Sequence, residues 1–284
     1  MKLRRPLALL SLAGAALAGA GAANAAEVSS NWAGYAVTST DATTGAPVDF
    51  NAVSATWVQP KARCGSTDGA SSAFWVGLGG NSEDSQALEQ IGTAVDCDGG
   101  VANHYVWYEV VPAPSVPVKL KIFPGNRISA SVRVTGSTIT FRLDNLTRHT
   151  FFQKRVVADT LDLSSAEWVA EAPSSCTSFR CDVLPLANFG NVTFSKATAV
   201  ANGHVGTITD PAWSQSEIWL VAEDEQQFFG PFHTATSTAG AVPNSLSADG
   251  SSFVVSWRTK VTPPPAAPTV EPVPSSTQPP APSP

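Results

Sequence analysis

Histidine and cysteine are scarce in this chain, and the motifs that use them for catalysis are missing. Of 284 residues, four are His and four are Cys. His104, His149, His204 and His233 are scattered, and neither Cys-x-x-Cys nor His-Glu-x-x-His occurs, so no zinc or other metal site is expected. No Gly-x-Ser-x-Gly elbow is present, which leaves serine hydrolysis poorly supported. Asp-Thr-Gly and Asp-Ser-Gly are absent too, against a paired-Asp protease. Basic residues nowhere cluster enough to recruit nucleic acid, so that class of partner is excluded. Beyond the N-terminal segment there is no long apolar run, hence no membrane span after processing. No cofactor motif appears, and a monomer is the default expectation.

The chain divides into three parts. Residues 1–25 read as a secretory signal peptide: Lys2, Arg4 and Arg5 precede a Leu/Ala/Gly run, and Ala23-Asn24-Ala25 is a small-x-small cleavage site. Residues 263–284 form a Pro/Ala/Ser/Thr tail with one charge, Glu271, a composition that cannot bury a core. Residues 26–262 are left as one folded domain. Loss of the three signal cations leaves 14 Lys and Arg against 23 Asp and Glu, a net charge of −9 for a secreted, extracellular protein. An even number of cysteines in an exported chain favours disulfides; of three possible pairings, Cys64–Cys97 and Cys176–Cys181 are preferred, the second closing a short loop.

What the domain does contain is strand upon strand. "VSATWVQP" (53–60), "AFWVGLGG" (73–80), "HYVWYEVVP" (104–112), "VKLKIF" (118–123), "NVTFSKATAV" (191–200), "SEIWLVA" (216–222) and "SFVVSWRTKV" (252–261) are rich in Val, Thr, Phe and Trp and bounded by Gly, Pro, Asn and Asp. Residues 127–145 read as a hairpin with Gly136-Ser137 at its tip. No 3.6-residue period is sustained. The fold class is therefore all-β, a sandwich of two antiparallel sheets of the concanavalin A-like jelly-roll type. Eight Trp, several beside polar residues, suit a groove for a chain-like ligand, polysaccharide or peptide.

Carboxylate chemistry remains. In "AEWVAEAP" (166–173), strand alternation puts Glu167, Val169 and Glu171 on one face and Trp168 and Ala170 on the other. Glycosidases on jelly-roll folds are similar, with Glu-x-Asp-x-Glu on one strand, but the central position here is Val169, which weakens a β-glucanase reading. A non-catalytic lectin-like binding module is the other alternative.

The same run resembles the catalytic-Glu strand of the glutamic peptidases, the eqolisin or peptidase G1 family. "LEQIGTAVDC" (88–97) resembles that family's Gln-x-Gly strand, and "SNWAGYAV" (30–37), "ATWVQP" (55–60), "FWVGLGG" (74–80), "WYEVVP" (107–112), "NFGNVTF" (188–194) and "DGSSFVVSW" (249–257) match in order. The resemblance implies a secreted, acid-acting endopeptidase on polypeptide substrates, with Glu171 as general base and then acid, and Gln90 orienting water and stabilising the oxyanion. Glu is expected near its reference value of about 4.3, ionised in mild acid where His would be protonated. Trp75 and Trp32 are expected to wall the groove, and Glu109 and Glu167 to support the site. One departure stands out: the family's "WVGxDG" Asp is Gly79 here, with Asn81, Glu83 or Asp84 as nearby substitutes.

Overall fold

The computed structural model describes residues 26–65, 69–82, 84–176, 181–222 and 238–264. The expected signal segment, Glu83 and nearly all of the expected tail lie outside the described residues. In chain order the strands are β1 (Glu27–Ser29), β2 (Trp32–Thr38), β3 (Phe50–Val58), β4 (Ser71–Leu78), β5 (Leu88–Asp98) and β6 (Val101–Val111). They continue as β7 (Val116–Val118), β8 (Arg127–Thr135), β9 (Thr138–Asn145), β10 (Thr150–Val157), β11 (Ser165–Glu171) and β12 (Ser174–Cys176). The last are β13 (Cys181–Val183), β14 (Asn191–Ala201), β15 (His204–Gly206), β16 (Ser214–Leu220), β17 (Gly240–Pro243) and β18 (Phe253–Arg258). No helix occurs among the described residues.

One hydrogen-bonded path runs β10-β9-β8-β3-β14-β18-β17-β16-β2-β11-β4-β5-β6-β7, antiparallel throughout, and β14 folds it into two layers. The first residues of β14 pair with β18 and its later ones with β3. Between Ser195 and Thr198 the register slips, with Lys196 at a φ of 54°. Such a bulge bends and twists its strand, and here it carries the chain from one layer to the other. The result is the expected sandwich of two antiparallel sheets.

The core lies between the layers. In β8 and β9 burial alternates strictly: Ile128, Ala130, Val132, Ile139, Phe141 and Leu143 point inward, and Arg127, Ser129, Ser131 and Arg142 point out. Each layer sends a Trp across with its N–H satisfied: Trp57 Nε1 donates to Thr93 Oγ1 (3.1 Å) and Trp168 Nε1 to the Ser54 carbonyl (2.9 Å). Burying a large apolar side chain contributes roughly 1.5–3 kcal/mol. In contrast, β4 is buried along its whole length. Its outer face is therefore covered too, by a second apolar cluster around Trp75, Leu88, Trp107 and Val169.

The strand expected over 118–123 stops at Val118. Beyond it the Lys121 carbonyl accepts from the Asn145 side chain (3.3 Å) and the Phe123 amide donates to Asn126 Oδ1 (3.1 Å), so side chains replace a ladder partner. The hairpin at Gly136-Ser137 forms, with Gly136 at a φ of 56°. Both preferred disulfides are present, Cys64–Cys97 and Cys176–Cys181.

Candidate active site

Strand register collects the candidate residues on the outer face of the β4 layer. The row through Glu167 runs to Gly77, Gln90 and Glu109 on successive strands. The next runs Val169, Trp75, Gly92, Trp107, and the third Glu171, Ala73, Ala94, Tyr105, with Trp32 flanking Glu171 on β2. Paired residues project to the same side, so Glu171, Gln90, Glu109, Glu167, Trp75 and Trp32 share one face. Small residues between them form the floor. A Cβ on Gly92 would stand 2.6 Å from Trp75 Cβ, and one on Gly77 would stand 2.9 Å from Trp75 Cζ3 and 3.3 Å from Gln90 Cβ. The missing side chain at Gly77 leaves room for the Trp75 ring.

That indole reaches Glu171. Trp75 Nε1 donates to Glu171 Oε2 at 2.6 Å, and Asn31 Nδ2 donates to Oε1 at 3.3 Å. Trp32 packs edge-on to Trp75, ring centroids 4.9 Å apart. Burial pushes the Glu171 carboxyl up to about 8; the nearby Glu109 charge adds to this, while the N–H donors oppose it. The sequence expectation of a carboxylate near its reference value is thus corrected: enclosure by neighbouring strands, invisible in the motif, raises it.

Gln90 is 4% exposed, and its Nε2 donates to Glu109 Oε2 at 2.7 Å. Its Oε1 has no hydrogen-bond partner among the described residues. The contact with Glu109 fixes which way the amide points, leaving the carbonyl and the second N–H unclaimed. Burial raises the Glu109 carboxyl as well, against the bond from Gln90. Glu167 is fully buried with neither carboxylate oxygen in a hydrogen bond. Its pKa lies well above the usual carboxylate range because of burial, reinforced by the charges of Asp162 and Glu89.

Three residues of this region escape the sequence reading. Asn31 is legible only as the neighbour of Trp32, and the register of β2 against β11 gives it a role. Glu89 alternates with Gln90 and so faces the opposite side of the sheet, where burial lifts it to about 8. Asp162 answers the departure at Gly79. A Cβ on Gly79 would lie 2.6 Å from Asp162 Cβ, so the carboxylate beside that position comes from the loop before β11. Asn81 and Asp84 do not supply it; Asp84 is exposed, and Glu83 lies outside the described residues. Among the described residues no group of three His, Cys, Asp or Glu is placed to hold a metal ion.

The fold is that of known glutamic peptidases. Scytalido-glutamic peptidase, solved with a peptide-based transition-state analogue, is similar with a TM-score of 0.63 and 24% identity, over 81% of this chain and 98% of that one. SCP-B, a member of the eqolisin family solved with the tripeptide Ala-Ile-His, gives 0.58 and 24% over the same shares. Aspergilloglutamic peptidase from Aspergillus niger gives 0.50 and 22%, over 66% of this chain and 99% of that one. No curated protein matches the chain in sequence. The Peptidase A4 family model matches residues 30–240. That match spans well over half of the sequence, and the chain belongs to the Peptidase A4 family, whose members hydrolyse peptide bonds.

Proposed function

We propose that this peptidase is exported and cleaves polypeptides in mild acid, with Glu171 and Gln90 activating the attacking water. The observation that carries this reading is the held pair of side chains on one face: Glu171 gripped by Trp75 and Asn31, Gln90 gripped by Glu109. Export is supported by the signal-like residues 1–25 and by two disulfides, which persist in oxidising compartments.

The chemistry follows from the donors and the protons. Water adds to the scissile carbonyl carbon as its proton passes to Glu171. The Gln90 carbonyl oxygen accepts the water's other hydrogen, and the unclaimed Nε2–H donates to the oxyanion. Glu171 then returns the proton to the amide nitrogen, the C–N bond breaks, and a carboxylic acid and an amine leave. Loss of one oxyanion donor typically costs roughly 3–4 kcal/mol in the barrier.

Glu171 and Glu109 are both raised and interact, so they titrate as a pair. The reactive form holds one proton between them, on Glu109, with Glu171 ionised; the Trp75 and Asn31 donors favour that placement and burial of Glu171 opposes it. Glu109 can still accept from Gln90 in that form through its carbonyl oxygen. Activity then falls in strong acid, where both are protonated, and again at higher pH, where the pair loses its last proton.

The test is proteolysis of denatured protein by the mature chain across the pH range, with pepstatin present. Pepstatin-resistant cleavage with a maximum in mild acid is expected. In Glu109→Gln the alkaline limb is expected to disappear, because the amide stays neutral where the Glu109 carboxyl would lose its proton. Absence of cleavage at any pH would refute the reading.

A further inference from the structure

Two loops meet at one carboxylate that the proposed chemistry does not use. The loop 79–87 joins β4 to β5, which carries Gln90; the loop 158–164 leads into β11, which carries Glu167 and Glu171. Asp162 stands between them with one oxygen turned to each. Its Oδ1 accepts from the Ser164 amide (2.9 Å) and hydroxyl (2.6 Å), within its own loop. Its Oδ2 accepts from the Gly80 amide (3.1 Å) and from the Ser85 hydroxyl, across the gap. The Gly79 amide adds a bond to the Ser165 carbonyl at 3.1 Å.

The backbone is shaped for this contact. Gly79 has a φ of +80°, and a Cβ there would fall 2.4 Å from the Asp162 carbonyl oxygen. A side chain at 79 is therefore excluded both by conformation and by Asp162 itself. The clasped loop then turns onto the candidate site. A Cβ on Gly80 would lie 3.3 Å from Trp32 Cη2 and 3.2 Å from Leu88, so the loop backs the Trp32 wall two residues before Gln90.

We propose that Asp162 is a positioning residue of this peptidase: its carboxylate clasps Gly80 and Ser85, between β4 and β5, to the start of β11 and so sets the groove wall formed by Gly80, Leu88 and Trp32. The proposal rests on the reading that the face around Gln90 and Glu171 is the active site. A carboxylate suits the task because it offers lone pairs on two oxygens and carries no hydrogen of its own. Burial acts to raise its pKa, but the bonds from Ser164, Ser85 and the two amides outweigh that and hold it below the usual carboxylate range. The clasp therefore stays ionised through mild acid. The charged or titratable groups nearest to it are Glu89 on β5 and Glu167 on β11, both buried and both raised.

Asp162→Asn keeps the shape but replaces one acceptor oxygen with an NH2 group, so the two loops can no longer both be served. The experiment has two arms. In the first, amide hydrogen exchange is followed at pH 5 without substrate. Gly80 and Ser164 are expected to exchange roughly tenfold to a hundredfold faster in the variant, the range set by a hydrogen bond to a charged group. Val53 and Ala55 in the opposite layer serve as the control and are expected to be unchanged. In the second arm, peptide cleavage is expected to show KM raised about tenfold and kcat changed far less. Ser85→Ala should reproduce part of this and Ser85→Thr, which keeps the hydroxyl, should restore it.

Unchanged exchange at Gly80, or faster exchange with KM unaltered, would overturn the proposal. A chain that cleaves nothing would refute the peptidase reading instead, and the exchange arm would still decide whether the clasp exists.

Discussion

Replacing Glu89 by Gln measures how far buried carboxyls tie this fold to acid. Glu89 has no solvent exposure, and neither of its oxygens has a hydrogen-bond partner among the described residues. Burial is the largest cause that lifts its pKa from 4.5 to about 8. The folded state therefore binds its proton more tightly than the unfolded chain does. The stability that this proton contributes is fully present below pH 4.5 and is lost as pH rises through about 8. At 1.36 kcal/mol for each tenfold difference in proton affinity, the loss by pH 8 is roughly 4 kcal/mol from this one group. For a folded unit of this size that corresponds to roughly 8–16 °C in Tm. Urea unfolding at pH 4.5 and pH 8 is the assay, read as the difference between the two pH values. That difference cancels any constant cost of burying the Gln amide. The wild type should lose several kcal/mol between the two conditions, and Glu89→Gln should lose about 4 kcal/mol less. Equal losses in the two proteins would show that Glu89 does not fold with its proton, and the reasoning from burial would fail.

Other expectations are as specific. Trp75→Phe removes the 2.6 Å donor to Glu171, which favours the ionised form by about 1.5–3 kcal/mol, so the acid limb of the pH–rate profile should move upward by about one to two pH units. Gly77→Ala places a Cβ 2.9 Å from the Trp75 ring and 3.1 Å from Leu88; kcat should fall at least tenfold while stability drops by only about 1–3 kcal/mol. The Cys64–Cys97 bridge spans 33 residues and Cys176–Cys181 spans 5, so chain entropy assigns them roughly 3.7 and 2 kcal/mol. Paired Cys→Ser variants in urea should reproduce that order, and a costlier loss at Cys176–Cys181 would contradict it.

The sandwich is legible because two-residue alternation and turn residues are local signals. The hairpin at Gly136-Ser137 and the faces of β11 follow from them directly. Gln90 and Glu171 stand out through motif resemblance, since a lone Gln on a strand carries no pattern of its own. The partners of these residues are set by register, which no local pattern records. Asn31 meets Glu171 because β2 lies beside β11, 140 residues apart in the chain. Asp162 meets Ser85 across 77 residues, and a loop carboxylate between Leu161 and Leu163 looks like ordinary surface in sequence. The raised carboxyls at Glu89, Glu167 and Glu171 were hidden for the same reason: desolvation depends on strands that pack alongside, and the motif shows only the strand itself.

Peptide cleavage by Gln90→Ala and Glu171→Gln, measured at the wild-type pH maximum with folding verified by Tm, tests the assignment of the water-activating pair most directly. Each variant should lower kcat by about two to three orders of magnitude with KM nearly unchanged. The double variant should be little worse than the poorer single one, because the two side chains act on one water. Wild-type kcat in either single variant would contradict the assignment.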